Sequence, residues 1–521
     1  MVNASQYVAD LFWLVPELWL ALVGFVLLAV APFTRDVASD RRLAWISVIG
    51  QGVALALLFV LYGGLGGVFG PGSADSPGAV FRLASGNPLL LVDGFSIVLK
   101  ATILAAGIVS TLMGIRFLEI ERMQRPEFHA VLVFAVVGAM FLVSSTDFIT
   151  LFTGLETMSL SVYLLVGWST RERKSNEAAL KYFLLGSLAS GFLLYGMSLM
   201  YGATGSTNLF AIAGSLRGAL RAGGTELVPL GIMFLIVGVG FKMAAAPFHV
   251  WTPDAYEGAP TLVTAFMSTA VKTAAFGMGL RIFLLGLPAT GAAEQWTLLF
   301  AIMAAISMTL GNTVAILQDN MKRLLAYSSI AHAGYALLGL VAVGAALSGR
   351  LPAGMREQAI SYGQFSVVLY MVAYTFTNLG AFALVAMLRR EGMAGDRVED
   401  FAGMARRAPW LAAAMTVFLL SLAGIPATAG FIGKWWLFAS AIEGGFGWLA
   451  VVAAVNTAIS LYYYVRVIVK MYMDVPGDAL AYSLTPAVTA AIVIALAGTL
   501  IIGLWPDPVF RLVEGTVQLV P

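Results

Sequence analysis

Cysteine is absent from this 521-residue chain, which removes disulfides, thiolate metal sites and iron–sulfur ligation from consideration. Charge is scarce. Asp, Glu, Lys and Arg together make up 11% of the residues, where a soluble domain carries about a quarter. The formal net charge of +2 points to neither nucleic acid nor a strongly acidic partner. Three histidines, His129, His249 and His332, are too few and too scattered to suggest haem ligation, and no metal site is expected. No Lys or Arg precedes Arg35, so the N-terminus lacks the basic start of a signal peptide, and the first apolar segment is expected to remain in the membrane as a helix.

What the chain has instead is hydrophobic length. Apolar residues reach 60% and the mean hydropathy is +0.89. Long apolar runs recur from end to end, each able to cross about 30 Å of hydrocarbon. The pattern predicts an all-α integral membrane protein of about fourteen transmembrane helices. The spans lie at roughly 11–33, 43–66, 89–118, 127–145, 147–169, 176–204, 226–251, 258–286, 295–318, 320–347, 358–390, 408–442, 446–473 and 482–505. The segment Gly63–Pro88, rich in Gly, Pro and Ser, is expected to be irregular. Basic residues alternate between loops, eighteen on odd-numbered loops against seven on even-numbered loops and the C-terminus. That bias predicts odd loops in the cytoplasm and both termini on the other side.

Five lysines remain inside the spans: Lys100, Lys181, Lys242, Lys272 and Lys434. A charged side chain at the centre of a membrane helix costs about 2.5–3.5 kcal/mol on insertion scales, so such residues face a bundle interior or an aqueous path and need a partner. Glu156 in the fifth span and Lys181 in the sixth are expected to pair across neighbouring helices. Lys242 and Lys272 sit near the middle of the seventh and eighth spans with no acidic residue within a turn or two of their own helices. Desolvation without a nearby anion disfavours the ammonium form, which suits an amine that takes up and releases protons. Lys100 is expected to snorkel to the interface, Glu17 to be an interfacial or packing residue, His129 to be interfacial, and Asp147 to cap a helix start.

Two spans are broken. Pro247 follows Lys242 by five residues and frees the Met243 carbonyl; His249 lies two residues further on. In the twelfth span Gly424, Pro426, Gly430 and Gly433 crowd together just before Lys434. Irregular backbone at membrane depth survives only where protein buries it or water lines it, and transporters use such breaks in matching positions of two repeats as ion-handling sites. The breaks are five spans apart, which predicts a five-helix unit used twice, spans 4–8 and 9–13. The expected organisation is therefore 1–126 for three N-terminal helices, 127–286 and 295–473 for the two repeats, and 474–521 for a last helix. His332, in the tenth span beside Ser328, Ser329 and Tyr335, is placed to relay protons between Lys272 and Lys434.

The strings GLETMSLSVYLLVGW, EAALKYFLLGSLASGFLLYGMSLMYGATG, GFKMAAAPFHVWTPDAYEGAPT, AILQDNMKRLLAYSSIAHAGYALLGL and LAGIPATAGFIGKWWLF resemble the antiporter-like subunits of respiratory complex I, the proton-pumping NADH:quinone oxidoreductase, and within them the subunit N family. The resemblance covers roughly residues 150 to 440. It implies that the two repeats are inverted and that Glu156 matches the family's conserved acid, with Lys181 its partner. It further implies that Lys242 matches the central proton-carrying lysine, Lys272 the connecting lysine and Lys434 the terminal lysine. NADH, FMN, iron–sulfur clusters and quinone would belong to other subunits, and the partners would be further membrane subunits of that complex in the bacterial plasma membrane. The expected route runs from the cytoplasm to Lys242, through Lys272 and His332, and out by Lys434. A subunit of a multisubunit sodium/proton antiporter or membrane-bound hydrogenase is the alternative reading, since it would share the same core.

Overall fold

In hydrocarbon every backbone N–H and C=O must be satisfied within its own segment, so apolar runs of this length fold as helices. A computed structural model of the chain describes residues 10–34, 37–64, 78–83, 86–221, 227–388, 395–475 and 484–514. Its elements in chain order are α1 (Val15–Val30), α2 (Val37–Gly64), a hairpin of β1 (Ala79–Arg82) and β2 (Pro88–Leu91), α3 (Gly94–Ile120), α4 (Glu127–Ser144), α5 (Phe148–Val166), α6 (Arg173–Thr204) and α7 (Leu209–Arg221). Then follow α8 (Leu227–Met243), α9 (Thr252–Gly258), α10 (Thr261–Gly286), α11 (Thr290–Ala315), α12 (Met321–Leu347) and α13 (Ala353–Met387). The chain ends with α14 (Pro409–Ala423), α15 (Ala429–Glu443), α16 (Gly447–Met473), α17 (Pro486–Leu504) and α18 (Asp507–Glu514). Among the described residues twelve helices are long and apolar enough to cross a membrane, and α8 and α14 are shorter apolar helices. The all-α membrane architecture stands as expected.

The bundle is layered. The apolar stretch of α10 is wholly buried, and those of α12 and α13 are 94% buried, whereas α1, α2, α6, α16 and α17 bury 39%. The inner helices therefore meet only protein, and the outer ones turn Leu, Phe and Ile outward, as Leu180, Leu184 and Leu188 do on α6. Close approach depends on missing side chains. A Cβ on Gly138 of α4 would meet the backbone of Gly154 and Met158 on α5, so these helices touch backbone to backbone, as small residues allow in membranes.

Both expected breaks are present. Pro247 cannot donate to the Met243 carbonyl, and α8 ends at Met243; the Ala246 N–H released there donates to Ser307 Oγ at 2.8 Å. The twelfth span divides into α14 and α15 around Gly424–Thr428, with Gly424 at φ 88°, a conformation that glycine adopts without penalty. Asp147 caps α5, accepting from the Ile149 N–H at 2.9 Å.

Several expectations change. The Gly63–Pro88 segment is not irregular throughout: β1 and β2 pair antiparallel at its end, while 65–77 and 84–85 lie outside the described residues. Lys100 does not snorkel. It is fully buried with its Nζ 2.5 Å from Glu17 Oε1, and of the two expectations for Glu17 the packing one fits, since it is equally buried. His129 is fully buried too, with Nε2 3.8 Å from Asp40 Oδ1. Arg281, counted with the loop cations, is buried inside α10, where it donates to Asp93 Oδ1 at 2.6 Å and Oδ2 at 2.9 Å. Lys322, counted likewise, is buried at the start of α12 and donates to the Ala259 carbonyl at 2.7 Å. Hydrophobic pattern alone gave no partner for these charges, and a distant carboxylate or carbonyl supplied one.

Candidate functional site

Glu156, Ser159 and Tyr163 share one face of α5, three and seven residues apart. The last two meet the Lys242 amine, which sits 3% exposed in the last turn of α8. Lys242 Nζ donates to Ser159 Oγ at 2.7 Å and to Tyr163 Oη at 3.2 Å. The rings of Tyr163, Phe241 and Tyr182 surround it, their centroids 5.3, 5.8 and 6.0 Å away. The C-terminal end of a helix carries partial negative charge and favours a cation there, so the break at Met243 leaves Lys242 against a dipole rather than against a carboxylate.

Lys272 begins the α-helical part of α10 that follows a π-helical turn, Met267–Val271. Such turns interrupt the i→i−4 ladder and are frequent at functional sites. Its Nζ donates to the Ser329 carbonyl and to Ser329 Oγ, both at 2.5 Å, and the Tyr374 ring lies 5.6 Å away. His332, one turn along α12, has Nδ1 against Tyr370 Oη and Nε2 3.2 Å from Tyr464 Oη. Lys434 closes the row. Its Nζ donates to the carbonyls of Leu422 at 2.9 Å and Ala423 at 3.1 Å, and it sits 4.7 Å from the Tyr335 ring. Those carbonyls belong to the end of α14. The break at Gly424 frees them, and the amine occupies the place where the next helical N–H groups would have been.

Three lysines are thus buried in protein, and every hydrogen bond they make goes to a neutral hydroxyl or carbonyl oxygen. From Lys272 to Lys434 the polar trail is close-set, by way of Ser329, Tyr374, His332 and Tyr335. Between Lys242 and Lys272 it thins. The link runs through the stacked rings of Tyr182 and Trp251 and on to Tyr256, whose hydroxyl lies 3.4 Å from Ser329 Oγ. Among the described residues no chain of hydrogen bonds joins those two amines directly.

The expected Glu156–Lys181 pair is not formed. Glu156 accepts from Ser190 Oγ of α6 at 2.6 Å. Lys181, 45% exposed, donates to Asp254 of α9 at 2.7 Å and lies 2.8 Å from Glu177. Asp254 also binds Arg323 at 2.9 Å, and Arg323 reaches Glu257 at 3.1 Å. Burial pushes the Asp254 carboxyl up, but hydrogen bonds from Lys181 and Arg323 outweigh that and hold it below the usual carboxylate range. Lys181 is thus held by Asp254 across the helix contact and by Glu177 one turn back on its own helix, and Glu156 is left to Ser190. Gly186, between Lys181 and Ser190 on α6, leaves a notch that receives the Tyr163 hydroxyl; a Cβ there would collide with it.

His249 is half-buried in the turn after α8; its Nδ1 lacks a hydrogen-bond partner among the described residues, and it joins none of the lysines. Sequence reading missed Ser159, Tyr163, Tyr370, Tyr374 and Tyr464. The helical spacing Glu156–Ser159–Tyr163 was a usable signal; the tyrosines of α13 and α16 meet His332 only through tertiary packing. Among the described residues no group of three or more His, Asp or Glu is placed to hold a metal ion.

The sequence profile of the NADH:quinone oxidoreductase/Mrp antiporter transmembrane family matches residues 145–460. The NADH-quinone oxidoreductase subunit N of Trichlorobacter lovleyi is 41% identical over 523 aligned positions, covering 100% of both chains. Subunit N 1 of Koribacter versatilis is 46% identical over 433, covering 82% of each. A chain of respiratory complex I from Thermus thermophilus, solved with bound aureothin, is 33% identical and superposes with a TM-score of 0.75 over 95% of this chain and 98% of that one.

Proposed function

We propose, starting from the premise that this chain belongs to the NADH:quinone oxidoreductase/Mrp antiporter family, that it is a proton-translocating membrane subunit of a bacterial NADH:quinone oxidoreductase. Quinone reduction takes place in other subunits of that complex, which also hold the NADH, FMN, iron–sulfur and quinone sites. Its neighbours are further antiporter-like membrane subunits in the plasma membrane, and both of its termini lie on the non-cytoplasmic side.

The observation that carries this reading is the seating of Lys242, Lys272 and Lys434 inside the bundle on neutral oxygens alone. An ammonium without a counter-ion in low dielectric is the expensive state of the group, so small changes in surrounding charge decide whether the proton stays. Protons are taken up at Lys242, pass to Lys272 across the thin stretch beside Tyr256 with water filling the gap, and proceed by His332 to Lys434. Glu156 and Lys181 act at the head of the row: an exchange of Lys181 between Asp254 and Glu156 switches the negative charge that Lys242 feels. Moving one charge across 100 mV costs about 2.3 kcal/mol, within reach of such switching. The breaks after α8 and α14, each beside a buried lysine, support the division into 127–286 and 295–473 as two repeats.

Lys242→Ala is expected to abolish pumping by the assembled complex in liposomes. Normal pumping with normal assembly would overturn the role. Glu156→Gln is expected to lower the ratio of pumped protons to oxidised NADH.

A further inference from the structure

The N-terminal helices hold a second set of buried charges that the lysine row does not use. On α2, Asp40, Ser47 and Gln51 lie seven and four residues apart and share one face. On α3, Lys100, Gly107 and Thr111 do the same. The two faces meet: Gln51 Nε2 donates to Ser47 Oγ and Thr111 Oγ1, each at 3.1 Å, and Gln51 Oε1 lies where a Gly107 side chain would otherwise stand. Glu17 of α1 closes one end on Lys100 at 2.5 Å, and His129 of α4 closes the other beside Asp40 at 3.8 Å. At 1.5 Å per helical residue, Asp40 to Gln51 and then Gly107 to Lys100 covers about 27 Å, close to the full hydrocarbon thickness of about 30 Å.

These groups are all at least 96% buried, yet several atoms make no hydrogen bond among the described residues. Among the described residues Glu17 Oε2, Gln51 Oε1, Asp40 Oδ1 and both ring nitrogens of His129 accept or donate no hydrogen bond. A seam kept only for packing would be satisfied by protein, because each orphaned buried polar atom is costly. Water is the ordinary partner of such atoms, and polar groups recur here every one to two helical turns, at Asp40, Ser47 and Gln51 and then at Lys100 beyond the Gly107 position that Gln51 Oε1 fills. We propose that α1–α4 enclose a second hydrated proton file, with Glu17–Lys100 as the protonatable pair at one side of the membrane, Asp40–His129 at the other, and Gln51 holding the water between them. It runs beside the lysine row and does not depend on it.

The test is the number of protons pumped per NADH by the reconstituted complex carrying Gln51→Met, which removes the central polar group without altering charge. The ratio is expected to fall by a whole proton while NADH oxidation in the presence of an uncoupler keeps its rate, and Gln51→Glu is expected to retain the wild-type ratio. Glu17→Gln is expected to lower the ratio in the same way. A wild-type ratio in both Gln51→Met and Glu17→Gln overturns the file, as does a loss of uncoupled turnover equal to the loss of pumping, which marks structural damage. Should Gln51→Met fail to assemble, Thr111→Val carries the same test with the same outcomes. The Lys242→Ala result is untouched by either outcome, so failure here is distinguishable from failure of the lysine row.

Discussion

Lys242 and Lys181 are the same amine in opposite settings. Lys242 is buried on α8 and bonded to two neutral hydroxyls; Lys181 is half-exposed on α6 and gripped by two carboxylates. The first has nothing anionic in contact to balance its charge, and the second has more than enough. Lys100 is a third case, buried like Lys242 but with a carboxylate in contact. Depth alone therefore does not leave an ammonium uncompensated. Depth without a bonded anion does.

Giving Lys242 what Lys181 has should erase the difference. Ser159→Asp places a carboxylate where the hydroxyl now lies 2.7 Å from the amine. It is expected to lock the ammonium and reduce pumping to the level of Lys242→Ala; retained pumping would break the comparison. Removing the anion from Lys100 attacks it from the other side. Glu17→Leu leaves a buried charge unpaired, at a cost of about 3–5 kcal/mol, read as a lowered melting temperature or failed assembly of the complex. Tyr163→Phe is milder: it keeps the ring and removes one hydrogen bond of about 1 kcal/mol, so a several-fold slowing of pumping is expected rather than loss.

The smallest effect concerns Asp254. Its carboxyl lies below the usual range, so the hold on Lys181 is complete above ordinary carboxyl pKa values and fades only as pH falls through the lowered one. Asp254→Asn is expected to remove that hold at every pH, seen as greater motion of the Lys181 side chain, and to change the fold's stability little because the pair lies at the partly exposed rim, where solvent screens it. Unchanged Lys181 mobility would show that Glu177 alone retains it.

Much of this was legible in the sequence, for physical reasons that also explain what was not. Apolar length and proline placement are local properties, so the helices and the breaks after Met243 and at Gly424 were readable. The burial of Lys242, Lys272 and Lys434 followed from central position. Partners are not local. The seats of Lys434 on Leu422 and Ala423 arise only once the break has folded, and Arg281 meets Asp93 across nearly two hundred residues of chain. The pairing of Lys181 failed for a further reason: Glu156 and Asp254 were both acids within reach, and only the side chains' directions on folded helices decide between them.

Gly186 has a mechanical meaning. The hydroxyl of Tyr163 rests in its notch on α6 and at the same time touches Lys242, so the helix bearing Lys181 cannot rotate or slide without pushing on the phenol that steadies the neighbouring amine. Displacement at the rim is thereby geared to the first member of the row through a rigid aromatic spoke, whatever the ions nearby are doing.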